Sequence, residues 1–360
     1  MTHDELLRLA EPRWRVLRER RADLAGAIDL QRVLVTRGLD LGAALDRQPL
    51  PGEPRPAGTL AARLAEGEPV GLDEGIEVDA ALVGPYLLGF CDDLAAGGAG
   101  APARHLREVL ESGEIDLGSL LAASLGRRQA AIRTRAQHVG VSPDLTWVVA
   151  EMAVGPLACR LRRRTFAAAE GHPELAGALA RWGRGYCPAC GSWPALAELA
   201  NGDEARDGDG DEARAGDGDG ARDGDGDGDG TAHRDGAAHG EGVALGDGAA
   251  LGGAGGGRRL RCSFCGAGWP RAEGACIYCS ARGDTLLTAA GSGEGRRAEL
   301  CRSCGGYLKC VAAGGGPAPF ELLPVVDLET SDLDAGAMER GYGRPSMREA
   351  DAPAPPCPPP

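Results

Sequence analysis

The chain has 360 residues, 43% of them hydrophobic but only 4% aromatic, so a length suited to about two domains must build its core from Leu, Ala and Val. The formal net charge of −14 is concentrated between Gly202 and Gly257, where 15 acidic residues face 4 arginines, so it says little about partners of the folded parts. The start, Met1-Thr2-His3-Asp4-Glu5, is charged, and the longest apolar stretch, Ala80 to Cys91, contains Pro85 and falls short of the roughly 20 residues that cross a bilayer; the chain reads as cytoplasmic, with no membrane partner.

Residues 1–180 read as a helical domain. Between Asp4 and Leu50 the apolar residues Trp14, Leu17, Leu24, Ile28 and Val33 recur at helical spacing. Pro51 to Pro69 holds four prolines and three glycines, and much of it reads as loop. Further helices fit Glu77–Ala96, closed by Gly97-Gly98-Ala99-Gly100, then Ala103–Ser112, Leu117–Val139 and Pro143–Gly171. The last has Ser142 as a natural N-cap, Pro143 at the first helical position and Asp144 in the first turn. Pro156, preceded by Gly155, predicts a kink. The run Arg160, Arg162, Arg163, Arg164 reads as a solvated helix end complementing the helix dipole. No catalytic constellation lies on these helices, and no histidine pairs with another at metal-protease spacing.

From Gly185 the texture changes to short strand-like pieces bearing cysteines. Residues 185–275 form a first module, interrupted by a Gly/Asp/Ala tract, 202–257, whose composition predicts disorder. Asp225 to Gly230 superficially resembles the start of a calcium loop, but Gly236 stands at the twelfth position, where the bidentate Glu belongs. Residues 276–345 form a second module with a C-terminal helix near Asp332–Arg340, and 346–360 a disordered, Pro-rich tail. The fold class expected is α+β: an all-helical N-terminal domain followed by two rubredoxin- or zinc-ribbon-like modules.

Eight of the 12 cysteines sit in C-x-x-C pairs: Cys187/Cys190, Cys262/Cys265, Cys276/Cys279 and Cys301/Cys304. In a tetrahedral tetrathiolate site, metal–sulfur bonds of about 2.3 Å put neighbouring sulfurs roughly 3.8 Å apart. Two cysteines in one tight turn reach that separation, so each pair is half a site. Gly191, Gly266 and Gly305, and Ser280 in the remaining pair, are the small residues that let the backbone turn. Chain order joins the first two pairs and the last two, the long tract bulging out as a loop whose entropy grows slowly with length; an interleaved pairing is the alternative. The expected cofactors are two tetrathiolate-bound ions, iron or zinc, with every ligand from protein and no open position for catalysis. The chain therefore reads as a non-enzyme. Disulfides do not suit a cytoplasmic chain, and thioredoxin-like chemistry needs one motif rather than four. Cys91 and Cys159 read as buried, inert thiols, and Cys310 as a packing residue. Cys357 falls in the tail.

Four stretches carry a family resemblance. They are Gly185-Tyr186-Cys187-Pro188-Ala189-Cys190-Gly191-Ser192, Leu260-Arg261-Cys262-Ser263-Phe264-Cys265, Cys276-Ile277-Tyr278-Cys279, and Cys301 through Gly305-Gly306-Tyr307-Leu308-Lys309. Leu333-Asp334 and Met338-Glu339-Arg340-Gly341-Tyr342 follow in the same order. With the helical region ahead of them, these stretches resemble the FdhE family of formate dehydrogenase accessory proteins; the Gly/Asp insertion departs from its pattern. The resemblance implies a cytoplasmic protein needed to produce active formate dehydrogenase, contacting that enzyme's catalytic subunit, with cysteine motifs linked to rubredoxin-like iron. Lys309, the sole lysine among 39 basic residues, either marks a partner contact together with nearby Tyr307 or is a chance survivor of the arginine bias. Rubredoxin-like electron transfer is a second reading and ribbon-type nucleic-acid binding a third; no basic strand with interleaved aromatics supports a nucleic-acid partner.

Overall fold

The structure is a computed structural model and describes residues 1–73, 75–199, 258–291, 295–313 and 317–345. The Gly/Asp tract expected to be disordered, the calcium-loop look-alike within it, the tail and Cys357 lie outside the described residues.

The N-terminal region is helical. Helix α1 (His3–Arg20) starts in a capping box, with Glu5 N–H donating to the Thr2 hydroxyl at 3.3 Å and Thr2 N–H donating to the Glu5 carboxylate at 2.7 Å. Then follow α2 (Ala25–Asp46), α3 (Ala57–Ala65), α4 (Ala80–Leu94), α5 (Gly100–Glu111), α6 (Leu117–Leu125), α7 (Gln129–His138), α8 (Pro143–Ala167) and α9 (Pro173–Ala180). Helix α8 begins as its sequence predicts: the Ser142 hydroxyl accepts from Leu145 N–H at 3.4 Å, and Pro143 opens the helix. It is the hub, packed against α2, α4, α6 and α7, and its assigned helix continues through Pro156 to Ala167.

Three local expectations are corrected. The proline-rich stretch taken as loop contains α3, whose Leu60 and Leu64 are buried. Pro56 stands just outside that helix, where its missing N–H costs nothing. Leu117–Val139 is two helices, broken where Arg127 takes a left-handed φ of 56°. Its guanidinium is stacked between Trp147 (4.6 Å) and Phe264 (4.0 Å) and pairs with Glu151 at 2.6 Å, and that burial holds the break open. The arginine run is not a solvated helix end. Arg162 is buried and donates to the Cys265 carbonyl at 3.1 Å, Arg160 meets Asp46 at 3.1 Å, and Arg164 donates to the Gly52 carbonyl at 2.7 Å.

Among the described residues, the C-terminal half is built around one six-stranded mixed sheet. Strands β1 (Leu196–Leu199), β2 (Arg258–Arg261), β3 (Gly268–Pro270), β4 (Leu286–Ala290), β5 (Arg296–Cys301) and β6 (Tyr307–Ala312) lie in the order β3-β2-β1-β6-β5-β4. Every pairing is antiparallel except β1 with β6, which join in parallel with Ala197 opposite Cys310. Each half repeats one plan: knuckle, strand, strand, knuckle, strand. Three antiparallel strands leave the first and third parallel to each other. The two repeats therefore join head to tail, first strand of one beside third strand of the other, and share a single sheet. Helices α10 (Leu323–Glu329) and α11 (Ser331–Glu339) follow; α11 packs on β5 and β6, and α10 reaches back to α1 and α2.

The main core runs without a break from Leu41, Leu87 and Leu157 in the helices to Leu260, Trp269 and Cys310 in the sheet. A smaller core joins Trp14 and Leu17 of α1, Ile28 and Leu39 of α2, and Val325 of α10.

Candidate metal centres

The four C-x-x-C segments fold into four copies of one turn. The N–H of the residue after the second cysteine donates to the first cysteine's carbonyl: Gly191 to Cys187 (2.9 Å), Gly266 to Cys262 (3.1 Å), Ser280 to Cys276 (3.0 Å) and Gly305 to Cys301 (2.9 Å). The first cysteine's own N–H donates five residues on, to Ser192, Ala267, Ala281 and Gly306, at 2.8–2.9 Å. The turn needs a left-handed residue at its fifth position, with φ of 78°, 70°, 61° and 68° in chain order. Three of these are Gly; the fourth, Ser280, tolerates the strained region. The same turn points Ala189 N–H at the Cys187 sulfur and Tyr278 N–H at the Cys276 sulfur, both at 3.4 Å.

The sulfurs gather in two groups of four, Cys187/Cys190/Cys262/Cys265 and Cys276/Cys279/Cys301/Cys304, each within 4.8 Å of one another. The closest approaches are 3.6 Å for Cys187–Cys265, Cys190–Cys262 and Cys279–Cys301, and 3.7 Å for Cys276–Cys304. A disulfide would bring sulfurs to about 2.05 Å. The separations instead match the roughly 3.8 Å edge of a tetrahedron around a metal ion. Each group is a pair of knuckles facing each other across a strand end. Strand β2 runs directly into Cys262, and β5 ends on Cys301.

Electrostatics also favour an ion. Burial pushes the Cys187 and Cys265 thiols well above their ordinary value, so packing alone opposes their ionisation. At Cys301 burial acts the same way, but N–H groups of Cys304 and Ser303 outweigh it and draw the thiol down. Four thiolates held this close repel one another, and a divalent cation is what lets all four ionise together. Soft sulfur donors in tetrahedral array suit zinc and iron alike.

The two groups differ in surroundings. In the first, Cys187, Cys262 and Cys265 are buried and Cys190 partly so. Val70 and Gly71 donate backbone N–H groups to the Pro188 and Ala189 carbonyls at 2.8 and 2.9 Å, and Gly155 of α8 lies against the Phe264 carbonyl. In the second, Cys276 and Cys301 are buried while Cys279 and Cys304 are exposed. Between the groups runs a chain of edge-to-face rings: Tyr186 with Trp193 at 5.9 Å, and Trp193 with Tyr278 at 5.1 Å.

Cys91, Cys159 and Cys310 are buried away from both groups. Tyr307 and Lys309 are not available at the surface as a partner contact would require. Lys309 is 0% exposed and its ammonium is held by Asp327 (2.6 Å) and Asp334 (2.7 Å), while the Tyr307 hydroxyl donates to Asp334 at 2.7 Å. The sequence reading missed Arg127, Arg162 and Trp193, which pack the helices and the second repeat onto the first group. Arg162 stood inside the conspicuous arginine run; the aromatic spacing of Tyr186 and Trp193 was the other available signal.

Among curated proteins, an FdhE homolog of Stutzerimonas stutzeri (strain A1501) is 36% identical over 88 residues. The family likeness is to FdhE. The aligned stretch takes in 24% of this chain and spans 28% of the length of that FdhE homolog. Among solved structures, the crystal structure of the FdhE protein from Pseudomonas aeruginosa aligns over 97% of this chain and 93% of its own, at 21% identity and a TM-score of 0.45. No protein-family model matches the chain.

Proposed function

We propose that this chain is an accessory protein for the maturation of formate dehydrogenase, meeting that enzyme's catalytic subunit through two cysteine-bound metal centres. The observation that carries the reading is the gathering of eight knuckle cysteines, in FdhE-like motifs, into two groups with the edge length of a tetrathiolate site. Cys187, Cys190, Cys262 and Cys265 would hold one ion, and Cys276, Cys279, Cys301 and Cys304 the other. Each ion, iron or zinc, would supply charge neutralisation and a cross-link between two knuckles. All four donors of each centre come from the chain, which supports a role in binding rather than catalysis and a place in the reducing cytoplasm.

The chain's own residues do the rest. The knuckle N–H groups stabilise ionised sulfur, and α8 and Arg162 hold the first centre against the helical region. A partner would therefore meet a surface whose shape depends on metal loading. The test is co-purification of tagged protein, prepared anaerobically, with a formate dehydrogenase large subunit, alongside metal analysis. Two ions per chain and retention of that subunit are expected, with one ion and the subunit lost when Cys276 and Cys301 are changed to Ser. Failure to retain the subunit in cells that produce the enzyme would sink the proposal.

A further inference from the structure

The two centres are built on one plan but placed differently, and the difference is chemical. At the first, three of the four sulfurs are buried, and backbone from the helical region covers both knuckles. At the second, the inner residues Cys276 and Cys301 are buried, while the outer two, Cys279 and Cys304, are exposed. Each outer sulfur is the second cysteine of its knuckle, so one from each half of the site lies open. Gly305 follows Cys304, and a side chain added there would meet nothing within 4 Å, so the backbone just beyond that cysteine is uncovered. Arg282 and Arg302, both exposed, flank the two knuckles and favour an approaching anion.

Resting on the reading that both centres hold ions, we propose that the second is this chain's exchange site, where a soft thiol ligand takes the metal, while the first keeps its ion for the life of the fold. The step is a ligand substitution. An incoming thiol gives up its proton as its sulfur bonds to the ion; the Cys304 sulfur leaves the ion and takes up that proton. The same exchange at Cys279, and then at Cys276 and Cys301, would break the remaining bonds, each leaving sulfur taking up one proton, and would carry the ion away on the incoming thiolates. Bonds and protons balance, and no electron changes hands. At the first centre the same attack would require α8 and the Val70–Gly71 backbone to move away first, a local unfolding with its own free-energy cost.

The test uses the full chain loaded with zinc and challenged with excess glutathione, the released ion being read by a chromogenic chelator. Two phases of one equivalent each are expected, the slower by about 10-fold or more, the scale on which a metal site's surroundings tune its hold. Limited alkylation with peptide mapping should mark Cys279 and Cys304 first. Cys304→Ser and Cys279→Ser should each abolish the fast phase and keep the slow one. Release of both ions in a single phase, or first labelling at Cys190 or Cys262, overturns the inference and leaves the two-ion reading standing. A chain that takes up fewer than two ions overturns that reading and the inference with it.

Discussion

Lys309, the one lysine in the chain, lies fully buried in β6, and its charge is balanced by Asp327 and Asp334. Arg344 joins the same carboxylates at 3.2 and 3.0 Å, so the segment after α11 is tied to the sheet through this cluster. An arginine at 309 would bring a planar fork to a slot shaped for a compact ammonium on a straight stem, a physical reason for lysine here in an arginine-rich chain. Burial pushes the Asp327 carboxyl up, but Lys309 and Arg344 more than offset it and hold it below the usual carboxylate value. With the folded value lower than the unfolded one, this contribution is full above about pH 4 and drains away as pH falls through the folded value. Lys309→Met leaves the two carboxylates to Arg344 alone and should cost about 1–3 kcal/mol near neutral pH, less than a fully buried pair because Asp327 is partly exposed. Urea unfolding should show that gap narrowing in acid; a gap unchanged between pH 7 and pH 3 would contradict this account.

At the scale of the element, the knuckle is the repeating part, and its fifth residue decides how cleanly it turns. A Cβ at Gly266 would lie 2.8 Å from the Phe320 Cβ, in a left-handed position as well. Gly266→Ala should therefore destabilise by about 1–3 kcal/mol through strain and overpacking, and should speed metal loss from the first centre. Ser280 already pays the left-handed strain, with φ of 61°. Ser280→Gly should be neutral or stabilising by up to about 1 kcal/mol. Thermal denaturation of the two variants should move in opposite directions. The knuckles were legible in sequence because C-x-x-C followed by a small residue encodes both the ligand spacing and the turn. The single sheet was not, because the β1–β6 seam joins strands more than a hundred residues apart and depends on tertiary placement. Outside the strands, Gly185, just before the first knuckle, comes so close to the Ile277 carbonyl in the third that a Cβ would sit 1.8 Å from it, so the two repeats also pack backbone to backbone there.

For the molecule as a whole, the first cysteine group and the helical region are parts of one core, since Cys187, Cys262 and Cys265 belong to the same apolar cluster as α4 and α8. A structural tetrathiolate ion contributes about 10–16 kcal/mol in peptide systems, more than a typical domain's whole stability. Stripping both ions with a chelator should therefore loosen the helices along with the sheet. Circular dichroism should show helical signal melting at lower temperature in the stripped protein, with readdition of zinc restoring it. An unchanged helical transition would mean that the helical region stands on its own. Protons compete with the ion for sulfur, so acid should release metal as a chelator does.

Spacing, turn residues and the composition of the helices determined the α+β class, the eight knuckle cysteines and the capped start of α8, because each of these is set by interactions a few residues long. Tertiary structure alone decided that two ribbon-like repeats share a sheet, that Arg162 faces the first knuckles and not water, and that Lys309 turns inward. Those outcomes depend on which distant surfaces meet, and on the cost of leaving a buried charge or strand edge unpaired.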